Sequence, residues 1–309
     1  MASIKELFAP KDLTVGPPWK RIIEFSTPLL ISNVAQQFYN TADSIIVGRY
    51  VGDNALAAVG SAGPILNLLL VLFVGIAVGA SIMVSQYFGA KDREKLSNTI
   101  GACITLTAIA SIIIMIIGPL VTRPMLRLLN TPASIIDWSA GYLIIFFLGI
   151  VGFSYYNILS GVLRGLGDSL SALVFLLVST ALNIVLDIIF ITRFNMGVPG
   201  VALATVIAQG ISAILCFLKL LSMKDLFQIN LKYLKLNKEY AHRLIKLGLP
   251  SGLTQGIFSL AMIIVQSLTN TFGEMIIAAN VIIMRVDGFA MMPNFSFGSA
   301  MTTYTGQNI

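Results

Sequence analysis

The chain has 309 residues, of which 56% are hydrophobic and only 11% are charged. Soluble globular proteins carry roughly 25% charged residues, so this composition excludes a soluble domain that covers its surface with charge and indicates a protein solvated largely by lipid. The net charge of +6 does not indicate a nucleic-acid partner, because the basic residues lie between apolar runs, as they do beside membrane spans.

Apolar runs of about 20 residues or more recur along the chain, and each is long enough to cross a hydrocarbon core of about 30 Å as a helix. The alternating pattern of a membrane β-barrel is absent from the sequence. We therefore predict an all-α fold, a polytopic membrane helical bundle. The eight predicted spans lie near residues 25–48, 55–82, 97–120, 138–161, 170–192, 198–221, 245–268 and 275–301.

The lysines and arginines give the orientation of these spans. Most of them lie before the first span or after the second, fourth and sixth spans. Basic connections stay on the cytoplasmic side. The sequence thus predicts a multi-pass protein of the cell membrane whose N-terminus and whose 222–244 connection are cytoplasmic.

Two parts of the chain resemble each other. "KRIIEFSTPLL" (20–30) matches "HRLIKLGLPSG" (242–252), and Gln86 of "VSQ" matches Gln307 of "TGQ". Because six spans precede the second copy, both copies start with the same orientation, as in a parallel repeat. We expect two six-helix pseudo-symmetric lobes, the second truncated here. The expected parts are a tail (1–17), an N-terminal lobe (18–221), a linker (222–244) and the start of a C-terminal lobe (245–309).

The first span carries a polar face. Gln36, Asn40 and Asp43 follow one another at helical spacing, with Gln37 beside them, and such a stripe has to face protein or water. The alternative is that Asp43 lies near the outer end and pairs with Arg49.

The fifth span, "ALNIVLDIIFI" (181–191), contains Asn183 and Asp187 one turn apart on one helix face. An aspartate at the centre of a membrane helix costs about 2.5–3.5 kcal/mol. Such a carboxylate either holds a proton or coordinates a small cation, and amide and hydroxyl oxygens nearby suit sodium. The alternative is a structural hydrogen bond between helices.

Three other features stand out. Asp287 follows Arg285 by two residues, so the two side chains point about 200° apart on a helix and at least one faces another helix or a cavity; separate structural pairing is the alternative. Pro28 lies inside the first span, where it removes a helix hydrogen bond and indicates a bending element. Gly75 and Gly79 show the spacing of close helix packing.

The order of these motifs resembles the multidrug and toxic compound extrusion (MATE) family, in its DNA-damage-inducible (DinF-like) branch. The resemblance covers almost the whole chain. It rests on "NTADSIIVGRYVGDNALAAVG" (40–60), "GASIMVSQYFGAKD" (79–92), "GVLRGLGDS" (161–169), "ALNIVLDIIFI" (181–191), "GVPGVALATVIAQ" (197–209) and "RVDGFAMMPNFSFGSAMTTYTGQN" (285–308).

The resemblance implies a V-shaped antiporter of twelve spans that exports cationic, amphipathic drugs against an inward flow of protons or sodium, with no cofactor, no nucleic acid and no enzymatic activity. We expect a monomer. The implied cation-coupling residues are Asp43, Asp187, Asn183, Asn157 and Thr205, with a possible sodium site at Asp43, Asp187 and Asn183. The expected substrate cavity contains Gln36, Gln37, Asn40, Gln255 and Asp287, and Pro28 is the expected hinge.

One departure and three alternatives accompany this interpretation. The sodium-coupled branch of the family has a glutamate early in the seventh span, where this chain has Gln255 and Ser259. A lipid-linked oligosaccharide flippase of the same superfamily is one alternative, although it needs buried cations that the sequence nearly lacks. An intramembrane enzyme needs a catalytic or metal cluster, which Cys103, Cys216 and His242 do not form. The third alternative is a non-transporting fragment.

Overall fold

The computed structural model describes residues 9–230, 232–235, 237–270 and 274–309, and within them the chain is all-α, as predicted. Nine helices are present in this described part. They are α1 (Pro18–Tyr50), α2 (Asp53–Gly89), α3 (Arg93–Leu128), α4 (Ile136–Leu148), α5 (Ile150–Gly165), α6 (Ser169–Thr192), α7 (Gly197–Leu221), α8 (Lys238–Asn270) and α9 (Glu274–Asn308).

Seven of the eight predicted spans fall inside one helix each, but the fourth does not. The fourth, predicted at 138–161, is divided between α4 and α5, which meet at Gly149 with a bend of 56° and together are long and apolar enough for one span. A Cβ atom on Gly149 would lie 2.2 Å from Cγ1 of Val206 in α7. The break therefore brings the α4–α5 backbone directly against α7, which a larger residue would prevent.

Length and composition identify some of the helices as membrane spans without further argument. Within the part of the chain that the structure describes, α3, α6 and α7 are long and apolar enough to cross a membrane, and counting each bent pair as one span raises the number to five. The bent pairs are α4 with α5, and the two halves of α2 (Asp53–Leu68 and Phe73–Gly89). The first, seventh and eighth spans stay predictions; the first carries the polar stripe that lowers its hydropathy.

The connection between α7 and α8 is shorter than the predicted linker. Turns and loop occupy the described residues 222–230, 232–235 and 237, and α8 begins at Lys238. The Asn237 side chain accepts a hydrogen bond from Glu239 N (3.0 Å). An asparagine that accepts from a first-turn N–H starts a helix, so residues 238–244 belong to α8. We call the end of the bundle that carries residues 222–237 the linker side.

Two apolar cores stabilise the bundle. The core nearer the linker side joins α2, α3, α5 and α7 through side chains such as Met83, Ile100 and Leu163, and Phe227 of the connection packs into it. The other core, towards the opposite side, includes Val47 and Phe147. The two cores lie mainly among α1–α7 and hold the first six predicted spans together.

Backbone contacts between α2 and α8 join the two predicted lobes. A Cβ atom on Gly248 of α8 would lie 2.3 Å from the carbonyl oxygen of Gly75, and one on Gly79 would lie 2.5 Å from the carbonyl oxygen of Leu244. Small residues allow such close approach of membrane helices. The paired glycine spacing of α2 thus faces α8.

The end of α9 adds a polar contact on the linker side. The buried Gln307 accepts a hydrogen bond from Leu13 N (2.8 Å) through Oε1 and donates one from Nε2 to Gly165 O (3.1 Å). Asn33 of α1 donates to Ser296 Oγ of α9 (2.9 Å). These amides connect α9 to the N-terminal segment, to α1 and to the end of α5.

Candidate cation-coupling site

The candidate site lies where α1 packs against α6 and α6 packs against α7. Asp43 comes from α1, Asn183 and Asp187 come from α6, and Thr205 comes from α7. Asn183 and Asp187 are fully buried, Thr205 is buried, and Asp43 is half-buried. The helix face predicted for "ALNIVLDIIFI" therefore points into the protein.

The carboxyl groups of Asp43 and Asp187 lie within hydrogen-bonding range of each other. Ionised carboxylates only accept hydrogen bonds, and two of them in contact repel, so the pair favours a shared proton or a bound cation. Oδ1 of each aspartate is buried and lacks a hydrogen-bond partner among the described residues. The alternative pairing of Asp43 with Arg49 is not present within 4 Å in this described part of the chain, where Arg49 is exposed.

Asn183 connects the carboxylate pair to α7. With its amide oriented to satisfy both of its polar atoms, the nitrogen donates to Asp187 Oδ2 (3.2 Å) and the oxygen accepts from Thr205 N (3.3 Å). In the opposite orientation the nitrogen donates to Thr205 Oγ1 (3.4 Å). Either orientation joins Asn183 to Thr205, so α6 and α7 are tied together beside Asp187.

Two residues of this cluster were not predicted from the sequence. The buried Tyr39 donates its hydroxyl to Thr205 Oγ1 (3.5 Å), and the buried Gln209 lies one turn beyond Thr205 on α7. Tyr39 precedes Asp43 by four residues, and Gln209 follows Thr205 by four. The helical spacing that placed the other members on one face could have identified both.

The remaining predicted residues form no hydrogen bond with the carboxylate pair among the described residues. Asn157 on α5 donates from Nδ2 to Phe153 O of its own helix (2.8 Å). Gln36 contacts Asn40 at 3.5 Å on the polar face of α1, and Asn40 is exposed, as is Gln37. The two other predicted cavity residues, Gln255 on α8 and Asp287 on α9, are both exposed.

The predicted hinge at Pro28 and the predicted opposition of Arg285 and Asp287 are the last two features of the sequence to place. Helix α1 continues through Pro28, whose carbonyl oxygen accepts from Ser32 Oγ (2.8 Å). Within α9, the side chain of Arg285 lies outside the described residues. The predicted opposition of Arg285 and Asp287 therefore stays a prediction.

Comparison with known proteins identifies a family model and relatives that match this chain. The MatE family model matches residues 28–189. The chain is 34% identical over 298 residues to the "Probable multidrug resistance protein YoeA" of Bacillus subtilis (strain 168), covering 94% of this chain and 64% of that protein. The chain thus spans just under two thirds of the length of this curated relative.

Solved structures give the same assignment of the fold. The chain superimposes on a crystal structure of MATE in the straight conformation with a TM-score of 0.88, at 30% identity, over 96% of this chain and 66% of that one. It superimposes on MATE in the bent conformation with a TM-score of 0.88, at 29% identity, over 97% of this chain and 67% of that one. The similarity to the two conformations is equal.

Proposed function

This chain belongs to the MatE family, and on that premise we propose that it contributes the first lobe, and the start of the second, to an antiporter that exports cationic, amphipathic drugs across the cell membrane against a flow of protons or sodium. The observation that carries the proposal is the contact between the carboxyl groups of Asp43 and Asp187. The multidrug-resistance name of the relative YoeA supports the substrate class.

The paired carboxylates supply the coupling ion site. Asp43 Oδ1 and Asp187 Oδ1 are buried acceptors that lack partners among the described residues, and Asn183 and Thr205 hold the nearer carboxylate in place. A proton shared between the carboxylates removes one negative charge, and a sodium ion would be held by the same oxygens. Two groups in such contact titrate as a pair rather than separately.

Helix α1 is the element that responds to the ion. Asp43 and Tyr39 are polar α1 side chains that contact Asp187 of α6 and Thr205 of α7, so a bound cation changes the attraction between α1 and its neighbours. Pro28 cannot donate a backbone hydrogen bond and weakens α1 on the side towards its start. We propose that cation binding favours one bend of α1 at Pro28, narrows the cavity beside Gln36 and Asn40, and expels the drug.

The orientation and partners of the transporter complete the proposal. The linker side is cytoplasmic, because it carries the basic 222–244 connection. The working unit is a monomer in the lipid bilayer and uses no cofactor other than the coupling ion. Gln255 and Asp287 contribute polar groups to the drug cavity from the second lobe.

The test is drug efflux from vesicles under an imposed proton gradient or an imposed sodium gradient. We expect Asp43→Asn and Asp187→Asn each to abolish gradient-driven efflux at matched expression, because an amide cannot share a proton with the remaining carboxylate. Asp137→Asn is the matched control: Asp137 is exposed and pairs with Arg123 (2.9 Å) away from the site, so efflux should persist.

The same experiment separates the coupling ions. Efflux that follows only one of the two imposed gradients identifies that ion as the coupling ion. Near-normal efflux by Asp187→Asn would show that the buried carboxylate has only a structural role, and the proposal would then be wrong.

A further inference from the structure

The polar side chains of the site continue along the contact between α6 and α7 towards the linker side. On α6 they recur in steps of four residues, apart from an apolar step at position 175, and α7 carries a matching series. All of them except Lys219 are buried. The α6 members are Asp187, Asn183, Ser179 and Ser171, and the α7 members are Thr205, Gln209, Ser212 and Lys219.

The register between the two helices is fixed by three contacts. Asn183 contacts Thr205 (3.4 Å). Ser212 Oγ donates to Phe175 O (2.8 Å). Lys219 Nζ lies 3.7 Å from Asp168 Oδ2. In each pair the residue numbers add to 387 or 388, the constant sum expected of antiparallel neighbours. The same register places Ser179 opposite Gln209.

Each of these two opposed side chains has a buried polar atom without a hydrogen bond, as Asp187 has at the carboxylate pair. Ser179 Oγ and Gln209 Oε1 have no partner among the described residues, although Ser179 is 0% and Gln209 only 5% exposed. A serine within a helix usually donates to the carbonyl oxygen four residues earlier. For Ser179 this is Phe175 O, which already accepts from Ser212. Unpaired buried polar atoms are costly and are usually satisfied by water.

We propose that a chain of water molecules fills the α6–α7 contact from the carboxylate pair to Asp168 and conducts protons between that pair and the linker side. We define this path as the polar column. Its polar levels lie about 6 Å apart, four residues at 1.5 Å each. Direct hydrogen bonds do not reach that far, whereas one water between levels does, with two or more polar partners each.

Proton balance along the column requires no further reactant. The Asp43–Asp187 pair releases its shared proton to the first water as that water passes one of its own protons onward, and one proton leaves the last water at the linker side. The inference rests on the proposed function, because it supplies the route by which the coupling proton is released.

The linker-side end of the polar column carries the groups that exchange protons with solvent. Asp168 accepts from Ser171 Oγ (2.6 Å) and faces Lys219, whose side chain is 21% exposed. The thiol of Cys216 lies among them, with Tyr156 and Arg164 as its further titratable neighbours. At the other end of the polar column, the titratable side chains that face one another are Asp43, Asp187, Tyr39 and Tyr142.

If the polar residues of the column only pack without water, a cysteine placed among them should react with a water-soluble reagent as slowly as any other buried cysteine. Ser179→Cys and Ser154→Cys, each made with Cys103 and Cys216 changed to alanine, provide a matched pair. Ser154 is also 0% exposed, but it is bonded to Ser111 Oγ (2.6 Å) between α3 and α5. Silver ions, which are close to water in size, should modify the thiol at position 179 much faster than the thiol at position 154. Equal rates would overturn the water-filled column, whatever the transport activity.

Proton movement into vesicles, read with a trapped pH-sensitive dye, tests what the column conducts. We expect Ser179→Val and Gln209→Leu each to slow Asp43-dependent proton uptake about tenfold or more, the range for residues that support an ion site. Ser179→Thr keeps the hydroxyl and should keep the uptake rate of the unaltered chain. Drug binding should be unchanged in all three. Unaltered uptake by Ser179→Val and by Gln209→Leu would overturn the conducting role.

The two experiments separate this inference from the proposed function. Absence of Asp43-dependent proton uptake in the unaltered chain would overturn the proton-coupled function and the conducting role together. In that case fast silver modification at position 179 would still establish the water-filled column. Asp43-dependent uptake together with slow modification would keep the function and reject the column.

Discussion

The α6–α7 contact and the α2–α8 contact are both close helix pairs in an apolar protein, but they are built in opposite ways. In α6–α7, polar side chains such as Asn183 and Ser212 reach across to the other helix. In α2–α8, the backbones themselves touch at Gly75 and Gly248. The first contact has buried groups that can bind a proton or an ion. At these glycines the second contact is close-packed backbone, and its side-chain hydrogen bond, from Arg243 of α8 to Tyr87 Oη of α2 (2.8 Å), lies on the exposed linker side.

The difference shows that one contact of this membrane protein holds helices together by close packing, while the other carries the side chains that can bind an ion. Lipid is as apolar as a leucine side chain, so membrane helices associate through close packing and hydrogen bonds rather than through the hydrophobic effect. The glycine contact is sensitive to volume and insensitive to charge. The polar contact should tolerate small changes of volume and fail when its acceptors or protons are removed. The predictions below alter, one at a time, the glycine contact, an amide contact of α9 on the linker side and the carboxylate pair.

The largest loss of stability should come from adding one methyl group to the glycine contact. A Cβ atom at Gly248 would lie 2.3 Å from Gly75 O, a backbone atom that can move only with its helix. We expect Gly248→Ala to lower the free energy of unfolding by about 1–3 kcal/mol, as overpacking does. Thermal unfolding in detergent, followed by circular dichroism, measures the change.

The control for this variant lies in the same helix. A Cβ atom at Gly256 meets nothing within 4 Å, so Gly256→Ala should leave the melting temperature unchanged or raise it through the better helix propensity of alanine. Equal melting temperatures for the two variants would mean that the α2–α8 contact does not depend on close approach of the backbones.

A comparable or smaller effect is expected from the amide contact that accompanies the glycines on the linker side. Gln307→Leu leaves Leu13 N and Gly165 O without their partner. Loss of these two bonds should cost about 1–3 kcal/mol, and it should expose the Leu13 amide. Hydrogen exchange at Leu13 is the measurement, with faster exchange expected in the variant.

Asn308→Leu is the matched control for that change. Asn308 is exposed and donates only to Tyr304 O of its own helix (2.9 Å). Its replacement should leave exchange at Leu13 unaltered. If Gln307→Leu also leaves exchange at Leu13 unaltered, the amide does not fix the N-terminal segment to α9.

The sequence predicted the part of this arrangement that depends on local spacing. Asn183 and Asp187 are four residues apart, so their shared face followed from helix geometry alone, and apolar runs predicted where the helices lie. Tyr39 and Gln209 stand at the same spacing from Asp43 and Thr205, but an apolar context makes a tyrosine or a single glutamine look like an ordinary packing residue.

Features that depend on distant packing were beyond the sequence. The break at Gly149 lies directly against Val206 of α7, and the partner of Gly75 is a glycine about 170 residues later in the chain. Asn157 donates to Phe153 O within α5, and its coupling role, which rests on family resemblance alone, stays a prediction. Contacts between helices are set by the whole bundle, and spacing along one helix does not reveal them.

The central claim is that Asp43 and Asp187 act as one unit, and the most direct measurement compares gradient-driven efflux by Asp43→Asn, Asp187→Asn and the double variant at matched expression. Groups that act as a unit are non-additive, so the double variant should lose no more activity than the more damaged single variant. Losses that multiply, or a single variant with near-normal efflux, would contradict a shared cation site.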